Sequence, residues 1–126
     1  MCLDAGHAFL AADYFQFDFL EAVKSAAEFI GHVHMSGNTG VFEPLRITDR
    51  PSYDSLSKNY RFAFGRGDIH APPLWGSIPY DEVFALLRDT DCIFLCEYYS
   101  ERFLPFSRSI QEEVRGRIQE ARLSSR

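Results

Sequence analysis

The sequence predicts an α/β fold built on a parallel sheet, and three observations carry that prediction. Residues 2–4, 30–35 and 92–97 are short apolar stretches of strand length. Helical apolar stripes lie between and after them, so strands alternate with helices. The third stretch, Cys92-Ile93-Phe94-Leu95-Cys96, is almost continuously apolar, as expected of a parallel strand buried on both faces.

The elements follow in order. Cys2 to Asp4 reads as a short strand, and Gly6 permits a tight turn after it. Residues 8–19 are aromatic-rich and read as irregular. Asp18 is placed to cap a helix that runs to about Phe29, with Leu20, Val23 and Ala27 as its buried stripe. The strand over 30–35 contains His32, Val33 and His34. Side chains alternate across a strand, so the two histidines share one face and Val33 takes the other. Taken alone, this pair is either a hydrogen-bonded structural feature or part of a site. Residues 36–76 show no clear period, and a connection of that length is functional or disordered.

A second helix begins near Pro79, with Asp81 and Glu82 at its positive end and Tyr80, Val83, Leu86 and Leu87 as its apolar face, and it ends near Asp89. After the third strand, a last helix covers 106–123, with Ile110, Val114, Ile118 and Ala121 on one face. The tail Ser124-Ser125-Arg126 is expected to fray. The chain is read as one domain, residues 1–126. Its opening in mid-strand, with a turn of functional type directly after, reads as a piece of a longer protein.

The composition excludes several classes. With 126 residues, 46% hydrophobic and 15% aromatic, the chain is globular rather than disordered. A net charge of −5 and the lack of a basic block argue against nucleic acid as a partner. No apolar run reaches the ~20 residues that cross a bilayer, and no secretory leader is evident. The three cysteines, Cys2, Cys92 and Cys96, read as small buried thiols of a reducing compartment, which places the protein in the cytoplasm.

Each strand ends in a residue suited to metal binding: Asp4, His34 and Glu97, with His7 close behind Asp4. In a parallel sheet the C-terminal strand ends share one edge, so these side chains converge although they are distant in sequence. One imidazole with two or three carboxylates suits Mn²⁺, Mg²⁺, Co²⁺ or Zn²⁺. Arg46, Arg50, Arg61 and Arg66 in the long loop are either solvated charges or contacts to an anionic group on substrate. Trp75 is either a pocket wall or plain packing, and His70 either reaches the site or is structural.

Four motifs, in order, carry a resemblance: Leu3-Asp4-Ala5-Gly6-His7-Ala8, His32-Val33-His34-Met35, Gly65-Arg66-Gly67-Asp68-Ile69 leading to Ile78-Pro79-Tyr80-Asp81, and Phe94-Leu95-Cys96-Glu97. Together they resemble the C-terminal half of the sugar phosphate isomerase/epimerase superfamily, the xylose-isomerase-like TIM barrel group that also includes endonuclease IV. The resemblance implies a partial (β/α)8 TIM barrel, roughly its last three strand–helix units. It implies Asp4, His34 and Glu97 as ligands of a divalent metal, with Glu97 also a catalytic acid/base. It implies that His7 contacts substrate or, in an endonuclease IV-like site, a second metal, and that His32 supports the site. His7 is also taken as a second catalytic candidate, and His7, Arg66, His70 and Trp75 as substrate contacts.

The implied function is metal-dependent isomerisation or epimerisation of a sugar or related polyol in carbohydrate metabolism. Two departures matter. The family's fifth-strand carboxylate, usually its second acid/base, has no counterpart here, so the isolated chain is expected to hold only half of the proton-transfer pair and to be incomplete by itself. The Asp-x-His pair of endonuclease IV is replaced by Asn59-Tyr60-Arg61, which argues against a trinuclear zinc site and DNA repair. The alternatives are an inactive remnant or split-barrel subunit, which self-associates or docks on a missing N-terminal half, and a metal-dependent hydrolase of the endonuclease IV-like group.

Overall fold

A computed structural model describes residues 1–124. Strands β1 (Cys2–Asp4), β2 (His32–Met35) and β3 (Ile93–Cys96) form one sheet in the order β1-β2-β3. Both pairings are parallel, with Asp4 opposite His34 and His34 opposite Leu95. Parallel neighbours need crossover connections. Helices α1 (Ala5–Phe15) and α2 (Phe19–Ala26) fill the first, and α6 (Tyr80–Leu87) the second. Helix α8 (Ser107–Leu123) follows β3. This is the strand–helix alternation of part of a TIM barrel.

The helices cover one face of the sheet. Val33 and Met35 are fully buried there, packed with Val23 of α2, Val83, Phe84 and Leu87 of α6 and Val114 of α8. The expected stripes of α2, α6 and α8 supply these contacts, to which Phe19 and Phe84 add. The other face carries Cys2, Asp4, His32, His34, Ile93 and Leu95 by the strand register. No described element covers it, so Ile93 is 65% and Leu95 46% exposed. The expectation that β3 is buried on both faces is therefore corrected: its apolar run is covered on one side only. Cys92 is buried and Cys96 half-buried, whereas Cys2 is exposed, contrary to its reading as a buried thiol.

Two further differences concern the loops. The segment read as irregular over 8–19 is largely α1, capped by Asp4, whose Oδ1 accepts the His7 N–H at 3.0 Å. The stretch 36–76 contains three short helices, α3 (Leu45–Thr48), α4 (Arg50–Ser55) and α5 (Lys58–Phe64). Asp49 and Ser57 cap α4 and α5 through the N–H groups of Ser52 and Tyr60. A short α7 (Ser100–Phe103) precedes α8. Of the tail expected to fray, Ser125 and Arg126 lie outside the described residues, and the Ser124 N–H donates to Glu120 O at 3.0 Å.

The segment leaving β2 is tied down at each step. Tyr80 Oη donates to Ser36 O at 2.7 Å, and the Gly37 and Ala71 backbones exchange hydrogen bonds of 2.6 and 3.0 Å. Asn38 donates to Gly6 O at 3.0 Å and its own carbonyl accepts from Ser77 N at 2.8 Å. Gly76 lies so close to this segment that a Cβ would collide with the Asn38 backbone. These bonds fix the loop after β2 against the first turn of α1 and the start of α6, on either side of the strand ends that carry Asp4 and His34.

Candidate functional site

The C-terminal strand ends converge. His34 Nδ1 lies 2.9 Å from Glu97 Oε2. Glu97 is held by its own N–H, which donates to Met35 O at 2.7 Å. Asp4, His34 and Glu97 each offer a ligand atom, and these atoms lie within 4.8 Å of one another. The three are half-buried, enough to shield a charge and still admit a ligand. Two carboxylates and an imidazole form a donor set that fits Mn²⁺, Mg²⁺, Co²⁺ or Zn²⁺. Donors at about 2.1 Å from an ion and at right angles to each other are about 3 Å apart, close to the His34–Glu97 separation.

Behind this trio runs a chain of alternating carboxylates and imidazoles. Asp4 Oδ2 accepts from His7 Nδ1 at 2.9 Å, His7 Nε2 reaches Asp68 Oδ2 at 3.1 Å, and Asp68 Oδ1 reaches His70 Nε2 at 3.1 Å. The Asp4 and Asp68 hydrogen bonds push His7 up to about 10 against the opposing effect of burial. Burial alone would raise Asp68, but the hydrogen bonds from His7 and His70 outweigh it and hold the carboxyl well below the usual range. The same contest, with His7 as the winning partner, lowers Asp4. The Asp68 hydrogen bond raises His70 despite burial. His7 is thus an imidazolium at neutral pH, with both N–H groups engaged by carboxylates. It orients Asp4, the arrangement that commonly fixes metal-binding residues from behind.

Asp68 was read from the sequence as part of a turn motif and not as a site residue. Its position depends on Gly67, which has φ +70° and donates its N–H to Val41 O at 2.7 Å. The motif Gly65-Arg66-Gly67-Asp68 signalled the turn but not what the turn presents. His70 also lies in the left-handed region, at φ +47°, a conformation that non-glycine residues adopt at a cost, often near functional sites. Its carbonyl accepts from Tyr99 N at 2.9 Å, which ties this loop to the segment after β3.

A cavity of about 280 Å³ adjoins the trio, lined by Glu97, His70, Asp68, Lys58, Arg61 and Tyr98 among others. Lys58 was not foreseen as a lining residue. Arg66 and Trp75 are not brought to this cavity: the Arg66 guanidinium lies over the Phe64 ring at 5.1 Å, and Trp75 packs edge-on to Phe103 at 5.6 Å. Arg46 and Arg50 line a second, more apolar cavity of about 390 Å³ that reaches His7. His32 packs edge-on against His34, ring centroids 4.9 Å apart, and forms a further potential ligand group with Cys2 and His34. Among the described residues no helix is long and apolar enough to cross a membrane.

No curated protein and no solved structure matches the chain. A family model described as a xylose isomerase-like TIM barrel matches residues 1–121. This agrees with the parallel strand–helix units and with the order of the four motifs. The chain belongs to the xylose isomerase-like TIM barrel family.

Proposed function

We propose that the protein is a divalent-metal-dependent isomerase or epimerase acting on a sugar or related polyol. The observation that carries this reading is the meeting of Asp4, His34 and Glu97 at the C-terminal sheet edge, the edge at which barrel enzymes do their chemistry. A divalent ion held by these three residues would supply a Lewis acid for a substrate carbonyl or hydroxyl oxygen. Three protein ligands leave room for substrate oxygens beside them.

Of the proton-transfer pair such a reaction needs, this chain supplies one member. Glu97 lines the cavity, with Oε2 2.9 Å from His34 Nδ1. Glu97 is the acid/base that takes a proton from the carbon beside the carbonyl. Delivering it to the former carbonyl carbon, as the proton of the adjacent hydroxyl passes to the former carbonyl oxygen, gives isomerisation, whereas epimerisation needs a second acid on the opposite face, the role the resemblance gives to the fifth-strand carboxylate. His7, the second catalytic candidate, holds Asp4 in place and adds positive charge behind the site. His70 lines the cavity as a substrate contact. Assay of purified protein against a panel of aldoses and ketoses, with each of the four metals added in turn, tests the reading. Turnover that is lost in Glu97→Gln supports it, and no turnover with any metal counts against it.

A second reading, association with a second copy or with the rest of a barrel, is supported by the exposure of Ile93 and Leu95 on the open sheet face. Apolar side chains in a row on an uncovered sheet favour a partner. The mass in solution, measured by analytical ultracentrifugation, tests it.

A further inference from the structure

We infer that Cys2, His32 and His34 form a copper(I) site on the open face of the sheet, one layer below the trio of Asp4, His34 and Glu97. The site goes beyond the proposed function and does not rest on it: the two groups share His34, but the other donors and the ion differ.

The sheet register brings the three residues together. Cys2 and His32 are directly opposite in the parallel pair of β1 and β2, and His34 lies two residues on along the same face. That face is fixed, because Val33 and Met35 are fully buried on the other one. The strand starts are fixed as well: the Gly31 N–H donates to Met1 O at 3.0 Å, and Gly31 O accepts from Ile93 N at 3.1 Å. One ligand atom from each of Cys2, His32 and His34 lies within 4.8 Å of the others. Three such donors at 120° around one ion, with bonds of about 2.0–2.3 Å, are about 3.5–3.7 Å apart. Small rotations of the exposed Cys2 and the half-buried His32 side chains close the difference.

The donor set selects the ion. A thiolate with two imidazoles is soft and favours copper(I), whereas the carboxylate-rich trio suits harder ions such as Mn²⁺. Copper(I) accepts three ligands in a plane, so the group is complete without a fourth residue. His7, His34 and His70 each meet a carboxylate. His32 instead stands edge-on to His34, ring centroids 4.9 Å apart. Of the three cysteines, Cys2 is the one on this face: Cys92 and Cys96 pack with the core under the helices, and burial pushes both thiols up. On binding, the Cys2 thiol releases its proton to solvent and its sulfur bonds the ion, with no change in the oxidation state of either.

Anaerobic titration of the full chain with Cu⁺, against a chromophoric Cu⁺ chelator and with a non-thiol reductant present, tests the inference. The expected result is about one Cu⁺ per chain and a near-ultraviolet thiolate-to-copper charge-transfer band. Cys2→Ser should abolish the band. His32→Ala should weaken binding by more than about tenfold, since loss of a residue that merely supports a ligand already costs about that much. Asp4→Asn and Cys96→Ser should leave the band and the affinity unchanged. If His32→Ala does not fold, His32→Gln carries the test. No band, a band that survives in Cys2→Ser or is lost in Asp4→Asn, or undiminished affinity in the His32 variant overturns the inference. Mn²⁺ uptake that is lost in Asp4→Asn, in a protein without the copper band, would overturn the copper site and leave the metal-centred function standing. A copper site of this kind in a protein that takes up none of Mn²⁺, Mg²⁺, Co²⁺ or Zn²⁺ would do the reverse.

Discussion

His7 Nε2 and Asp68 Oδ2 lie 3.1 Å apart, and the other nitrogen of the same ring is 2.9 Å from Asp4. The relationship joins residues 61 positions apart in the chain. It makes the Gly-x-Gly turn of the long loop part of the support for the first strand's carboxylate. Replacing His7 by Ala removes that support, and metal affinity measured by competition with a chelating dye should fall about ten- to a hundredfold. Asp68→Asn, one step further back, should cost less than His7→Ala. Equal affinity in all three proteins would mean that the chain of imidazoles and carboxylates does not act on Asp4.

The same ring predicts a pH dependence of stability in the chelator-treated protein. His7 is raised to about 10 in the folded state, from about 6.5 in an unfolded chain. The folded state therefore holds the proton more tightly. The stability due to His7 is fully present below pH about 6.5 and is lost as pH rises towards 10. Urea unfolding at pH 6, 8 and 10 should show a decline that flattens in His7→Gln. The ring is half exposed, so the effect is modest, and parallel pH profiles for the two proteins would contradict the assignment.

Tyr80 connects the core to the site. Its ring is buried against Phe84, and its hydroxyl donates to Ser36 O at the exit of β2. Tyr80→Phe leaves that buried carbonyl short of a donor and should destabilise the protein by about 1–3 kcal/mol. Thermal denaturation measures this, and a loss of metal affinity alongside it would show that the β2 exit positions His34.

Ile93 and Leu95 face out from the uncovered side of the sheet. Replacing Leu95 by Lys should therefore change monomer stability little, within about 0.5 kcal/mol. If the open face is an association surface, the same substitution should lower the mass measured by sedimentation. An unchanged assembly in Ile93→Lys and Leu95→Lys would exclude this face as the interface.

Much of the fold was legible because α2, α6 and α8 carry apolar residues at helical spacing and pack them on one side of the sheet. The strand ends were legible for a similar reason: a parallel sheet brings Asp4, His34 and Glu97 to one edge wherever they lie in the sequence. Helix α1 was not legible, since Phe9, Leu10, Tyr14 and Phe15 give it no single apolar face and Gly6 reads as a turn. Helices α3, α4 and α5 run for four, six and seven residues, too short for a period to appear, although Asp49, Ser57 and Gly65 marked their ends. The places of Asp68 and Lys58 at the site were not legible because they depend on where a loop folds back. That fold is set by a left-handed glycine and by backbone hydrogen bonds, which no local pattern encodes.

The central claim is a metal centre at Asp4, His34 and Glu97, and the most direct measurement of it is metal content by mass spectrometry after loading with Mn²⁺ or Co²⁺ and desalting. The account predicts about one divalent ion per chain in the native protein, and loss of that ion in Asp4→Ala, His34→Ala and Glu97→Ala, with each variant still folded by circular dichroism. Metal content unchanged across the three folded variants would contradict it.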